Sequence, residues 1–135
     1  MKFQGRCYCG AVSYRAEGEP LSKAQCHCRE CQYITGGQSN LVIAMPESGF
    51  RYTKGAPASF RRSDLAAPVT REFCVTCGTH LVAKAPALPG AVLIKVGTFD
   101  DPALFGKADI AIYTCDRQPF HHIADGMTAF ERLPG

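Results

Sequence analysis

Seven of the eight cysteines fall into three short-spaced groups: Cys7-Tyr8-Cys9, Cys26-His27-Cys28-Arg29-Glu30-Cys31 and Cys74-Val75-Thr76-Cys77. Thiols one or two residues apart rarely place their Cα and Cβ atoms well for a mutual bridge, so these spacings point to metal ligands. Two pairs supply the four thiolates of a closed tetrahedral zinc site, and the triplet supplies three with one position left for something else. The competing disulfide framework belongs to oxidising compartments. Here Met1-Lys2-Phe3-Gln4-Gly5-Arg6 runs directly into the first pair without the apolar segment of a secretory signal, so the expected location is the reducing cytoplasm.

A length of 135 residues with 46% hydrophobic positions suits one domain over 1–135 with a single core. The longest apolar stretches, Leu41-Val42-Ile43-Ala44-Met45 and Ala91-Val92-Leu93-Ile94, fall far short of the roughly 20 residues of a membrane span. No membrane partner is expected. The formal charge of +3 counts the thiols as neutral, and seven thiolates with two Zn²⁺ bring it close to zero. No run of Lys and Arg exceeds two residues, so nucleic acid is not an expected partner.

Short β-branched and aromatic runs separated by Gly, Pro, Ser and Asp predict an all-β chain of antiparallel sheets. The expected strands are Ala11 to Arg15, Lys23 to Cys26, Asn40 to Met45, Gly49 to Thr53, Ala58 to Arg62, Val69 to Phe73, His80 to Lys84, Ala91 to Val96 and Asp109 to Thr114. Turns are expected at Glu47-Ser48-Gly49, Lys54-Gly55-Ala56-Pro57 and Pro86-Ala87-Leu88-Pro89-Gly90. Val92, Ile94 and Val96 alternate on one face, as do Ile110 and Ile112 on theirs, and both sets are read as core.

Cys9 is followed by Gly10 and Cys77 by Gly78, whereas Cys31 is followed by Gln32. A zinc thiolate gains from backbone N–H donors, and a tight turn that presents them after the second ligand needs the positive φ that glycine tolerates. Cys7, Cys9, Cys74 and Cys77 are therefore paired as one closed, structural zinc site. Cys26, Cys28 and Cys31 form the second site, for which three soft thiolates suit zinc. Its fourth ligand is open among water, a bound thiol, Cys115, His27, His80, His121 and His122. If a protein group closes it, the site is structural. If water or substrate fills it, the zinc is a Lewis acid.

The order Gly5-x-Cys7-x-Cys9-Gly10-x-Val12-x-Tyr14, then Cys26-His27-Cys28-x-x-Cys31, then Phe73-Cys74-x-x-Cys77-Gly78-Thr79-x-Leu81 resembles the glutathione-dependent formaldehyde-activating enzyme family, also called the CENP-V/GFA domain. Val96-Gly97-Thr98-Phe99-Asp100-Asp101-Pro102 and the segment from Asp125-Gly126 to Phe130-Glu131 extend the likeness over nearly the whole chain. The resemblance implies a zinc-bearing β-tent fold similar to Mss4. It also implies a structural zinc at Cys7, Cys9, Cys74 and Cys77 and a catalytic one at Cys26, Cys28 and Cys31. The implied activity is that of a carbon–sulfur lyase run in reverse, joining the small thiol glutathione to formaldehyde to give S-hydroxymethylglutathione. Two alternatives stand beside it: a thiol carrier or sensor without turnover, and a zinc module that binds nucleic acid or protein.

Three zinc-bound cysteinates carry a net charge of −1, which favours thiolate chemistry over water activation. His27, between two ligands, is weighed as a proton shuttle against a residue that faces solvent or bonds backbone, and the second is favoured. Arg29, Arg61, Arg62, Arg71 and Lys84 are available to meet the carboxylates of an anionic thiol. Cys115 is expected to be a buried unpaired thiol, while Tyr8, Tyr33 and Phe120 are weighed as pocket lining against core filling and are assigned no role.

Overall fold

In the computed structural model, which describes residues 1–135, the chain runs β1 (Lys2–Arg6), β2 (Ser13–Glu17), β3 (Ser22–Cys26), α1 (Arg29–Thr35), β4 (Asn40–Pro46), β5 (Phe50–Lys54), β6 (Ala58–Phe60), β7 (Thr70–Phe73), β8 (His80–Lys84), β9 (Ala91–Lys95), β10 (Ile110–Ile112) and β11 (Thr128–Ala129). Nine of these match the expected strands in place, β8 with the expected bounds and the other eight with shifted ends. The second begins at Ser13 rather than Ala11 because Cys7 N–H bonds Val12 O at 3.0 Å, which holds residues 7–12 in a turn. Gly49 and Val96 fall instead in the 3-10 turns Glu47–Gly49 and Val96–Thr98. Asp109 to Thr114 shortens to β10 because Tyr113 takes a left-handed φ of 54° and leads into a 3-10 turn at Thr114–Asp116. The strands β1 and β11 and the helix α1 were not expected.

One sheet has the order β1-β2-β5, the other β11-β10-β3-β4-β9-β8-β7-β6. The first is antiparallel throughout. The second is mixed, which corrects the expectation of antiparallel sheets alone: β10 lies parallel to both β3 and β11. No hairpin joins β10 to β3; the chain between them contains α1 and six strands, and such crossover connections permit parallel pairing.

A cluster of 16 buried residues fills the space between the sheets, with Phe3, Tyr14 and Ala16 from the small sheet meeting Ile43, Met45, Leu81, Val82, Val92 and Ile94 from the large one. Each large apolar side chain buried there contributes about 1.5–3 kcal/mol before entropy is counted. Tyr14 Oη bonds Thr98 Oγ1 at 2.7 Å, and the Phe3 ring lies 4.3 Å from that of Phe99, so the 3-10 turn after β9 is sewn to β1 and β2. Val92, Ile94 and Val96 are core, as expected. Ile110 and Ile112 are only half-buried, whereas Ala111 between them is fully buried. Their register opposite Ala24 and Cys26 places both isoleucines on the other face of the large sheet.

That other face carries the chemistry. Strand alternation puts Cys26 of β3 beside its partner Asn40 of β4, while Val42, two residues along the same face of β4, is opposite Lys95 of β9. Farther along, Leu93 lies opposite Ala83, and Ala83 opposite Arg71, which brings Arg71 of β7 to the same face. Helix α1 packs over it. Cys28 caps α1, its Sγ accepting the Cys31 N–H at 3.3 Å, and Gly36 ends the helix in the left-handed region with φ 83°.

Candidate metal centres

The sulfurs of Cys7, Cys9, Cys74 and Cys77 all lie within 4.8 Å of one another. Cys7 and Cys9 lie on the turn between β1 and β2, Cys74 and Cys77 on the turn between β7 and β8, so the group joins the two sheets. Cys9 Sγ and Cys74 Sγ, 65 residues apart, approach to 3.8 Å. Both turns have the expected left-handed glycine, Gly10 at φ 81° and Gly78 at φ 78°. The expected backbone donor is present as well: Val12 N–H reaches Cys7 Sγ at 3.3 Å. Hydrogen bonding from the Thr79 hydroxyl, with Cys9 and Thr79 backbone donors, holds the Cys77 thiol down at about 5. Four convergent thiols with N–H and O–H donors aimed at them fit a tetrahedral divalent soft cation.

The sulfurs of Cys26, Cys28 and Cys31 converge to the same tolerance. Neither Cys115 nor any histidine joins them. Cys26 and Cys31 are buried and Cys28 is half-buried, so the group opens to solvent on the Cys28 side. Hydrogen bonds with Cys28 and Cys31, and then burial, push the Cys26 thiol far up, while hydrogen bonds from Cys26 and Cys28 hold Cys31 down at about 3. The Asn40 amide adds a donor to Cys31 Sγ at 3.4 Å. Three crowded sulfurs that resist joint ionisation fit a cation that takes all three as thiolates.

Cys115 is exposed, not buried as expected, because the 3-10 turn at Thr114–Asp116 lies at the surface. Replacing it by serine should leave the metal content per chain unchanged, as read by native mass spectrometry. Loss of one metal per chain would show that it closes the triplet.

His27 neither faces solvent nor stands ready as a shuttle. It continues the alternation of β3, so it leaves Cys26 on the opposite face and is fully buried. His121 Nε2–H donates to Gly37 O at 2.7 Å, which makes His121 Nδ1 the acceptor of Gln118 N–H at 3.0 Å and of His27 Nδ1–H at 3.1 Å. His27 Nε2 then accepts from Gln25 Nε2 at 3.0 Å. With both ring nitrogens engaged and burial pushing its pKa down, His27 is a neutral tie between the triplet loop and the 118–122 segment.

The cationic candidates separate cleanly. Arg62 pairs with Asp64 on the surface, Arg61 is exposed, and Lys84 bonds Glu47 and Glu72. Arg71 is buried on the triplet face, bonded at 2.8 Å to Glu30, the neighbour of Cys31. Arg29 lies 5.0 Å from the Tyr33 ring centroid. Tyr8, Tyr33 and Phe120 are exposed at 91%, 78% and 60%, so none of the three fills the core. Tyr33 and Phe120 instead line a shallow depression with Arg29 and Gln118 beside α1. Lys95, not singled out from the sequence, is buried on the triplet face, where burial pushes its ammonium down to about 8 against the pull of the Cys31 charge. The available signal was a single charge inside the apolar run Val92-Leu93-Ile94-Lys95-Val96.

A family profile described as glutathione-dependent formaldehyde-activating enzyme matches residues 2–116. The chain belongs to this family. A Halomonas elongata protein named "Putative glutathione-dependent formaldehyde-activating enzyme" is 28% identical to it over an alignment of 97 residues that covers 68% of this chain and 62% of the relative's own length. A solved Rhodobacter sphaeroides structure resembles it in fold, with a TM-score of 0.62 at 20% identity, covering 78% of this chain and 96% of that one. No helix is long and apolar enough to cross a membrane.

Proposed function

We propose that the chain, acting as one domain over 1–135, is a zinc-dependent carbon–sulfur lyase of the cytoplasm that forms and breaks thiol–aldehyde adducts. Glutathione and formaldehyde are its first candidate substrates, by family membership and by the name of the Halomonas relative. Cys26, Cys28 and Cys31 are the proposed catalytic ligands, and Cys7, Cys9, Cys74 and Cys77 the structural ones. The observation that carries this reading is that the triplet converges without a fourth protein ligand. A zinc ion bound there would acidify an incoming thiol and hold it as thiolate.

The chain's own residues prepare that position. Asn40 fixes Cys31, the α1 cap fixes Cys28 relative to Cys31, and the His27–His121 tie holds the loop that carries Cys26 and Cys28. Arg29, with Tyr33 and Phe120 beside it, offers a cation and two apolar rings to the body of an anionic thiol. The test is formaldehyde consumption by glutathione. Purified protein should raise the rate above the spontaneous reaction, and Cys26→Ser should abolish the gain. Saturable glutathione binding without rate enhancement would establish the carrier alternative instead.

A further inference from the structure

Two buried side-chain polar atoms in the chain lack a hydrogen-bond partner: Lys95 Nζ and His80 Nδ1. Lys95 is 8% exposed and carries three N–H donors. A buried ammonium with no acceptor is costly to the fold, and neither a surface anchor nor a packing role explains it. Its place in the sheet is specific. It is opposite Val42, two residues along from Asn40, which is itself opposite Cys26 and bonds Cys31.

The neighbouring cation does not supply an acceptor. Arg71 lies on the same face and is occupied by Glu30, so that carboxylate is already committed. His80 occupies the β8 end at the register shift opposite Phe73, stacked on the Phe73 ring at 5.5 Å between centroids, and its Nδ1 is free. Lys95 and Arg71 both act electrostatically on His80, and the three sulfurs act on Lys95. Thus the buried ammonium without an acceptor lies on the sheet face that carries Cys26 and Asn40.

We propose that Lys95 is a further catalytic residue, whose ammonium binds the aldehyde-derived oxygen of the adduct while the triplet holds its sulfur. The inference rests on the thiol–aldehyde reading above. In the forward direction the thiol loses its proton to solvent, and a sulfur lone pair forms the new C–S bond. The C=O π pair moves onto oxygen, and that oxygen then takes up one proton, so thiol plus aldehyde gives the hydroxyalkyl thioether with no oxidant or reductant. Negative charge develops on oxygen as the bond forms, and a fixed ammonium in a water-poor site stabilises that charge more than it stabilises the neutral carbonyl. In the reverse direction the same contact holds the alkoxide from which the thiolate departs.

The experiment compares wild type with Lys95→Met, which keeps the length of the side chain and removes the charge, and with Lys95→Gln. Native mass spectrometry reads metals and adducts per chain with glutathione alone and with glutathione plus formaldehyde, and turnover is measured alongside. Both variants are expected to keep two metals and the glutathione adduct. They should lose the species heavier by one formaldehyde and lose on the order of 10²-fold in rate, the usual cost of removing one oxyanion donor. An unchanged formaldehyde-bearing species and rate would overturn the proposal while leaving the thiol reading intact. Loss of the second metal would overturn it too, by making Lys95 a counter-charge to the thiolates, and failure of both variants to fold would make it structural. A wild-type protein that binds no glutathione would end the thiol reading and this inference together.

Discussion

Replacing Cys74 by alanine is expected to leave little soluble, folded protein. Cys74 is 1% exposed and lies in the core cluster, with its sulfur 3.8 Å from that of Cys9. The four-thiol group joins the turn of the small sheet to a turn of the large one, so its metal would close a loop of some 65 residues that no hairpin closes. Metal binding at structural thiolate sites is worth on the order of 10 kcal/mol, and in a site that does not exist in the unfolded chain this becomes folding free energy. Net stability of a domain is about 5–15 kcal/mol, so loss of one ligand consumes most of it. Soluble yield and thermal melting provide the check, with exhaustive chelation expected to mimic the substitution. A Cys74→Ala protein recovered with wild-type melting would remove the structural role assigned to this group.

Cys28→Ser should have the opposite pattern, a folded protein without activity. Serine retains the ability to cap α1, since its oxygen accepts the Cys31 N–H in the place of the thiol, and serine is among the preferred residues at that position. Between metal-free proteins the change in stability should therefore stay within about 1 kcal/mol. The metal, however, loses one of three soft ligands, and the triplet offers no protein group to replace it. Removing a mere supporting partner of a metal ligand costs about 10–100-fold, so removing a ligand should cost at least ~10³-fold in turnover. Circular dichroism and the formaldehyde–glutathione rate measured on the same preparation separate the two effects.

The convergence of both sulfur groups was legible in the sequence because ligand spacing and the glycines after Cys9 and Cys77 are local signals. Gly10 and Gly78 take the positive φ that their turns require. Helix α1 was less legible, since Arg29-Glu30-Cys31-Gln32-Tyr33-Ile34-Thr35 has only two buried positions, Cys31 and Gln32, and shows no apolar stripe. Its cap is a cysteine, which reads first as a ligand. Strand β1 forms a hairpin with β2, but its buried positions are only Phe3 and Gly5, so it shows little apolar alternation, and β11 is two residues long; the parallel placement of β10 follows from tertiary connection rather than from any pattern within Ile110-Ala111-Ile112. For the same reason Ile110 and Ile112 were misread: alternation tells which residues share a face, while tertiary packing decides which face is covered, and here it is Ala111 that is fully buried. The His27–His121 tie joins residues 94 positions apart, and Lys95 and Arg71, 24 positions apart, reach the triplet face through strand register, distances that spacing arguments do not span.

The account turns on the triplet being a metal centre with room for a thiol. Native mass spectrometry of freshly purified protein, with and without glutathione, tests it most directly, with Cys28→Ser run in parallel. The account predicts two zinc ions per wild-type chain and one glutathione adduct, the adduct being lost in Cys28→Ser while the zinc of the four-cysteine group remains. An adduct that survives Cys28→Ser, or a wild-type chain that holds one zinc alone, would contradict it.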